Sequence, residues 1–338
     1  MSQETDWADV RVVGIPRALL FYRFGVLWTT FFEAIGRTVV VSEATDKAVA
    51  EAGDHLSVDE CCLASKVFVG HVGALVGKCD AVFVPCYPTG EPRSGFCTKF
   101  QSATDLVRAT FRDQKLRVIS CEVRNARKMK DVRRAFEAMA ARMGVAPRDA
   151  KAAFKAAWDA QRAHDAALAD AQERALRALD ERRREAQAAA AAGKPVEEPL
   201  GILVVAHPYI THDLYLSGAV IESLTDMGAT VLYADAVDHE RAYKKSFDFS
   251  DTMPWLINRE LIGAILLLQE RVNGIVLISA FPCGPDSMTD DAIMRCIQGT
   301  PILNLMIDAQ SGTAGVETRV ESFVDILRFQ QKGGYTHG

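Results

Sequence analysis

Brief apolar runs, each too short for a helix and each followed by residues at helical spacing, recur along this chain in two separate halves. A run over residues 10–15 ends at Pro16. Residues 17–35 then repeat apolar side chains (Leu20, Phe24, Leu27, Phe31, Phe32), with Gly36 at the expected helix stop. Runs at 38–41, 81–85 and 116–120 complete the first half. The second half restarts with runs at 201–206, 230–233, 274–279 and 302–307, alternating with helical patterns over 214–227, 260–272, 289–298 and 316–330. Strands that alternate with helices pair in parallel and need helices on their faces. The pattern therefore predicts an α/β fold, two Rossmann-like lobes with parallel sheets flanking a cleft. Open sheets of this kind bind ligands beyond the carboxyl ends of their strands, which directs attention to the loops after each run.

Between the halves the composition changes. Residues 145–192 are dominated by Ala, Arg, Glu, Asp and Gln, contain no glycine, and place Pro147 where a first-turn proline belongs. This predicts a long helical insertion, a single helix or a hairpin with little apolar face, read as a solvated arm or spacer. A length of 338 residues exceeds what one core usually organises. The expected division is a first lobe over 1–144, the insertion over 145–198, and a second lobe over 199–338.

A formal net charge of -5 leaves no basic surplus to neutralise a phosphate backbone, so no nucleic acid is expected as a partner. No apolar run of about 18 residues escapes a charged or strongly polar break, so no membrane span is expected. Residues 1–9 are polar and acidic without a signal-peptide core, and the expected location is cytoplasmic. In that compartment the eight cysteines are expected as thiols or metal ligands rather than disulfides.

Three cysteines lie where a loop or strand runs into a helix. Cys62 follows Asp59-Glu60-Cys61 and precedes Leu63-Ala64-Ser65-Lys66; Cys97 lies in Ser94-Gly95-Phe96-Cys97-Thr98-Lys99. Cys283 lies in Phe281-Pro282-Cys283-Gly284-Pro285-Asp286, where glycine and proline permit a sharp turn at the sheet's carboxyl end. No cysteine pair has the spacing of a zinc ribbon or a bacterial ferredoxin, so buried structural cysteines stand as the alternative on the residues alone. Cys79, Cys121 and Cys296 are expected as packing residues, while Cys61 and Cys86 are left open.

A set of motifs across both halves resembles a known family. They are Gly14-Ile15-Pro16-Arg17-Ala18-Leu19 with Phe21-Tyr22, Trp28 and Thr30-Phe31-Phe32, then Cys62 to Lys66, Gly70-His71-Val72 and Phe96-Cys97-Thr98-Lys99-Phe100. They continue with His207-Pro208-Tyr209, Cys283-Gly284-Pro285-Asp286-Ser287, Ile307-Asp308, and Ala314-Gly315-Val316-Glu317-Thr318-Arg319 with Glu321 and Phe323. Together they resemble the activase-associated branch of the 2-hydroxyacyl-CoA dehydratase and benzoyl-CoA reductase superfamily. That resemblance implies a 4Fe-4S cluster held by three cysteines, with Cys62, Cys97 and Cys283 at the matching positions and one iron left open. It implies low-potential one-electron chemistry on an acyl-CoA thioester. It also implies a separate ATP-hydrolysing activator of actin-like fold, and a homologous second subunit or a homodimer. Two departures concern loop stiffness: Ala64 and Thr98 stand where the family usually has proline. The segment Asp308-Ala309-Gln310-Ser311 lacks the acidic and histidine residues that many relatives carry there.

The leading expectation is thus an iron–sulfur redox protein resembling a dehydratase or reductase subunit. The alternative is a non-catalytic cluster-carrying accessory or scaffold subunit, and a third reading is a metal-free α/β binding protein. Lys66 and His71, five residues apart, and Asp213, in the loop after the 201–206 run, are candidates for catalytic or proton-handling roles. A salt-bridged lysine and a capped histidine are the structural alternatives. No Walker-type phosphate loop or dinucleotide fingerprint occurs, so ATP hydrolysis is assigned to another chain.

Overall fold

The computed structural model describes residues 7–88, 92–308 and 313–331. Ala309 to Ser311, part of one family-like segment, therefore lie outside the described residues. The chain forms two compact units, one of residues 1–164 with 252–256, the other of residues 165–251 with 257–338.

The first unit runs β1 (Val12–Ile15), α1 (Phe21–Ala34), β2 (Thr38–Val41), α2 (Lys47–His55), α3 (Leu63–Leu75), β3 (Ala81–Phe83), α4 (Thr98–Thr110), β4 (Val118–Ile119) and α5 (Met129–Arg142). All pairings are parallel, and the strand order is β2-β1-β3-β4. Helix α1 starts later than its apolar spacing predicts, because residues 16–20 form tight turns with Leu19 at φ 50°. The core is aromatic: Trp28, Phe31 and Phe32 of α1 meet Phe83 of β3 and Phe136 of α5. Their ring centroids lie 4.9 Å apart for Phe31–Phe136 and 5.0 Å for Phe32–Phe83. Helices α2 and α3 approach through glycines; a Cβ on Gly53 would lie 2.0 Å from the Lys66 carbonyl oxygen, and one on Gly70 2.1 Å from that of Val49. Gly70 thus serves helix packing.

A single 45-residue helix, α6 (Pro147–Ala191), follows, opening on its proline as expected. The reading of this segment as a solvated arm or spacer is corrected in that several of its side chains are core residues. In the first unit α6 buries Ala150, Ala153, Phe154 and Ala157, and the Gln161 side chain accepts from the Leu27 N–H at 2.9 Å. In the second unit it buries Leu176 and Leu179. There the Gln172 amide both donates to the Tyr233 carbonyl (2.7 Å) and accepts from its N–H (2.6 Å). Gln172 thereby satisfies the open edge of a strand much as another strand would.

The second unit continues β5 (Gly201–Val205), α7 (Pro208–Thr211), α8 (Leu214–Asp226), β6 (Thr230–Tyr233), α9 (His239–Lys245), α10 (Leu256–Leu268), β7 (Gly274–Ala280), α11 (Gly284–Cys296), β8 (Ile302–Ile307) and α12 (Thr313–Gln331). Its sheet is again parallel throughout, in the order β6-β5-β7-β8. Strands β5 and β7 are buried at every residue, which explains their unbroken Val/Ile/Leu runs. Both sheets reverse their winding direction at the same place, between β1 and β3 and between β5 and β7. Crevices at such points are where open α/β sheets receive ligands. No helix among the described residues is long and apolar enough to cross a membrane.

Candidate functional site

The loops that leave the two reversal points carry Cys97, His207 and Cys283, whereas Cys62 lies between α2 and α3. Cys62, Cys97 and Cys283 share one local geometry. Each is the N-cap residue of a 13-residue helix (α3, α4 and α11), in extended backbone. None of the three makes a side-chain capping bond to its helix, and none of the other five cysteines occupies an N-cap. An N-cap side chain sits over the unpaired N–H groups of the first turn, where the helix dipole favours negative charge. That environment suits a thiolate ligand. Cysteine is outside the usual N-cap set of Ser, Thr, Asp and Asn, so the loop-to-helix contexts read from the sequence did not mark these residues as the caps.

Within the first unit, the starts of α3 and α4 are joined: the Lys99 ammonium lies 3.2 Å from the Cys61 Sγ. Cys61 is buried beside Cys62, and Lys99 is two residues beyond Cys97. Cys121 is buried and its thiol pushed up by burial, as a packing residue's would be. Cys79 packs under β1, its sulfur so near that a Cβ on Gly14 would stand 2.6 Å from it. Cys86 donates to the Gln101 carbonyl at 3.1 Å. Cys296, expected to pack, instead lies exposed at the end of α11. Among the described residues, no three His, Cys, Asp or Glu side chains are gathered as a metal ion would require.

Lys66 and His71 point to different surroundings. Five residues span roughly 140° around a helix, and the two side chains reach different partners. Lys66 pairs with Asp54 at 2.6 Å, which raises its pKa. His71 is fully buried, with Nδ1 2.9 Å from the Ser42 hydroxyl and Nε2 2.9 Å from that of Thr45. Burial, helped by the charge of Arg17, lowers its pKa to about 4, so it is neutral at pH 7. Asp213, also buried, caps α8 by accepting from the Tyr215 N–H at 3.0 Å.

The second unit holds a polar cluster that the sequence reading missed. After β5, the ring of His207 stacks on Tyr209 at 4.9 Å, and its Nε2 lies 2.9 Å from Asp286 Oδ1. Asn258 of α10 donates to the same oxygen at 2.9 Å and to the Thr289 hydroxyl at 3.1 Å. Burial works to raise the Asp286 pKa, but the neighbouring His207 and hydrogen bonds from His207, Cys283 and Asn258 outweigh it and hold the carboxyl below its usual range. Beyond β6, His212 lies 2.6 Å from Asp235; burial lowers the histidine's pKa, and the Asp235 bond and charge more than reverse this. Three distant segments build the cluster, so no local motif announces it.

No curated protein matches this chain. Among solved structures, a mutant manganese-bound periplasmic metal-binding protein from Candidatus Liberibacter asiaticus aligns over 94% of this chain and 98% of its own. The identity is 11% and the TM-score 0.26, a level of similarity that carries no argument. The family model for the CoA enzyme activase uncharacterised domain (DUF2229) matches residues 12–237. The matched span contains Cys62 and Cys97 and ends before Cys283. Since it covers more than half of the sequence, this chain belongs to the CoA enzyme activase uncharacterised domain (DUF2229) family.

Proposed function

We propose that this chain is the iron–sulfur component of an activase-driven acyl-CoA enzyme system, with Cys62, Cys97 and Cys283 as ligands of a 4Fe-4S cluster. The observation that carries this reading is the shared placement of those three cysteines, and of no others, as N-caps of long helices. Thiolates are the usual ligands of such clusters, and three of them leave one iron open. When bound, the cluster supplies one-electron chemistry together with a Lewis-acidic iron for a substrate oxygen. The protein's own part is to hold three thiolates at helix starts, where unpaired N–H groups offset their charge. The Lys99 ammonium beside Cys61 adds positive charge at the first two. Membership in the activase family supports a role linked to acyl-CoA dehydratase systems. A separate ATP-hydrolysing activator of actin-like fold is the proposed electron source, and a 2-hydroxyacyl-CoA dehydratase-like or acyl-CoA reductase-like reaction is the proposed output.

The test is anaerobic isolation followed by dithionite reduction and electron paramagnetic resonance, with and without an acyl-CoA. A cluster signal that changes shape when the acyl-CoA is added supports a cluster with an open iron. Protein that binds no iron contradicts the proposal. A signal indifferent to every acyl-CoA, with no turnover, moves the assignment to a non-catalytic cluster-carrying subunit.

A further inference from the structure

Beneath α11, in the second unit, lies a small cavity of about 10 Å³, space for the centre of one water. It is lined by apolar groups of β5, β7 and α10 and by five polar residues: His207, Asn258, Asp286, Thr289 and Asp290. No lysine or arginine lines it. His207 is 6% exposed and its Nδ1 is buried without a hydrogen-bond partner. Ser279, 3% exposed, stands beside Asp290 at the end of β7 and is its hydrogen-bonding neighbour. Buried polar atoms are ordinarily satisfied, and a water that serves several of them is the common solution.

The two carboxyls are not equivalent. Asp286 and Asp290 lie four residues apart on one face of α11, which places two acids side by side in a desolvated space. Asp286 receives His207 and Asn258, so its charge is compensated. Asp290 receives no cation. Two adjacent buried carboxylates with one set of donors cannot both remain ionised without a large penalty.

We propose that this cavity is a proton-holding site, in which Asp290 is a neutral carboxylic acid and one water serves the buried His207 Nδ1 that lacks a protein partner. The electrostatics agree. Burial and the charge of Asp286 push the Asp290 pKa up to about 7, against smaller opposing effects of Ser279 and His207. From α10 the facing groups are uncharged, namely Asn258, Leu261 and Ile262, and from β7 they are Ile278 and Ser279. Asp286 also accepts from the Cys283 thiol, so the acid lies one carboxylate away from the start of α11. The ligand class is a proton with its carrier water, and the site requires nothing bound at Cys283.

Infrared spectroscopy of the full chain tests this by following the carboxylic C=O absorption from mildly acidic to mildly alkaline pH. The parent should show a protonated-carboxyl band near neutrality that disappears with a midpoint at about 7. The band should shift in D2O, because water reaches the site, and should be missing from Asp290→Asn, which keeps the shape of the side chain. A parent without a band at neutral pH, or a band kept unchanged in D290N, overturns the assignment. A band that does not shift in D2O overturns its hydrated form. The parent titration needs no variant, so it decides the matter even if D290N fails to fold.

Discussion

The two units share one strand order and differ in what fills the space between sheet and helices. In the first, interlocked aromatic rings do so: Trp28, Phe31, Phe32, Phe83 and Phe136, with Phe154 from α6. In the second, the fully buried strands β5 and β7 run beside a polar cluster of His207, Asn258, Asp286 and Thr289. A β2-β1-β3-β4 winding fixes where a crevice can form and leaves the contents of the core free to vary. In each unit, cysteine N-caps stand at helix starts while the interior beneath them is differently equipped, with rings in one and titratable groups in the other.

The largest expected effect concerns the helix contributed to both units. Replacing residues 147–191 by a short linker should abolish cooperative unfolding, because it strips Phe154 and Ala157 from one core and Leu176 and Leu179 from the other. A truncated chain that still melted sharply would show that neither unit depends on α6. Next is Phe136→Ala, which opens a cavity among three rings, those of Phe31, Phe83 and Phe154, and should lower stability by about 3–5 kcal/mol in denaturant titration. Gln172→Ala leaves the Tyr233 N–H and carbonyl without their partners on the sheet edge, a loss of about 1–3 kcal/mol.

A titration sharpens the contrast, since His71 in the first unit and Asp290 in the second should respond to pH with opposite sign. His71 has a folded pKa depressed from 6.5 to about 4, so its contribution is complete above 6.5 and is lost as pH falls toward 4. That loss is of order 3 kcal/mol, and His71→Gln should flatten it. Asp290 has a folded pKa raised from 3.8 to about 7. The folded chain therefore binds more protons than the unfolded one between those values, and stability falls as pH rises through that window. Melting curves of H71Q and D290N across the range should separate the two slopes, and slopes of the same sign would refute the contrast. The smallest effect is Lys66→Met: it removes a pair whose aspartate is half exposed, and about 0.2–1 kcal/mol is expected.

Much of this architecture was legible from the residues. Strands β2, β6 and β8 coincide with their apolar runs because those runs are continuous and bounded by turns. The bounds of α6 were marked by Pro147 and by the absence of glycine. Its burial was not, because its anchors include Gln161 and Gln172, and a glutamine that satisfies a backbone edge looks the same in sequence as one in water. Helices α2 and α5 escaped because their apolar stripes are thin and mixed with charge. The cysteine positions were legible from loop context and resemblance, and their common role as N-caps only from backbone geometry. The His207–Asp286–Asn258 cluster joins residues up to 79 apart, a proximity that only the wound sheet creates.

The central claim is that three helix-capping cysteines, and not cysteines in general, hold the cluster. Iron and acid-labile sulfide measured in anaerobically isolated parent, Cys283→Ser and Cys296→Ser test it most directly, since both residues belong to α11, one at its cap and the other exposed at its last turn. The account predicts that C296S keeps the parent's iron and sulfide while C283S loses the cluster or sheds it on standing. Equal iron and sulfide in all three proteins would contradict it.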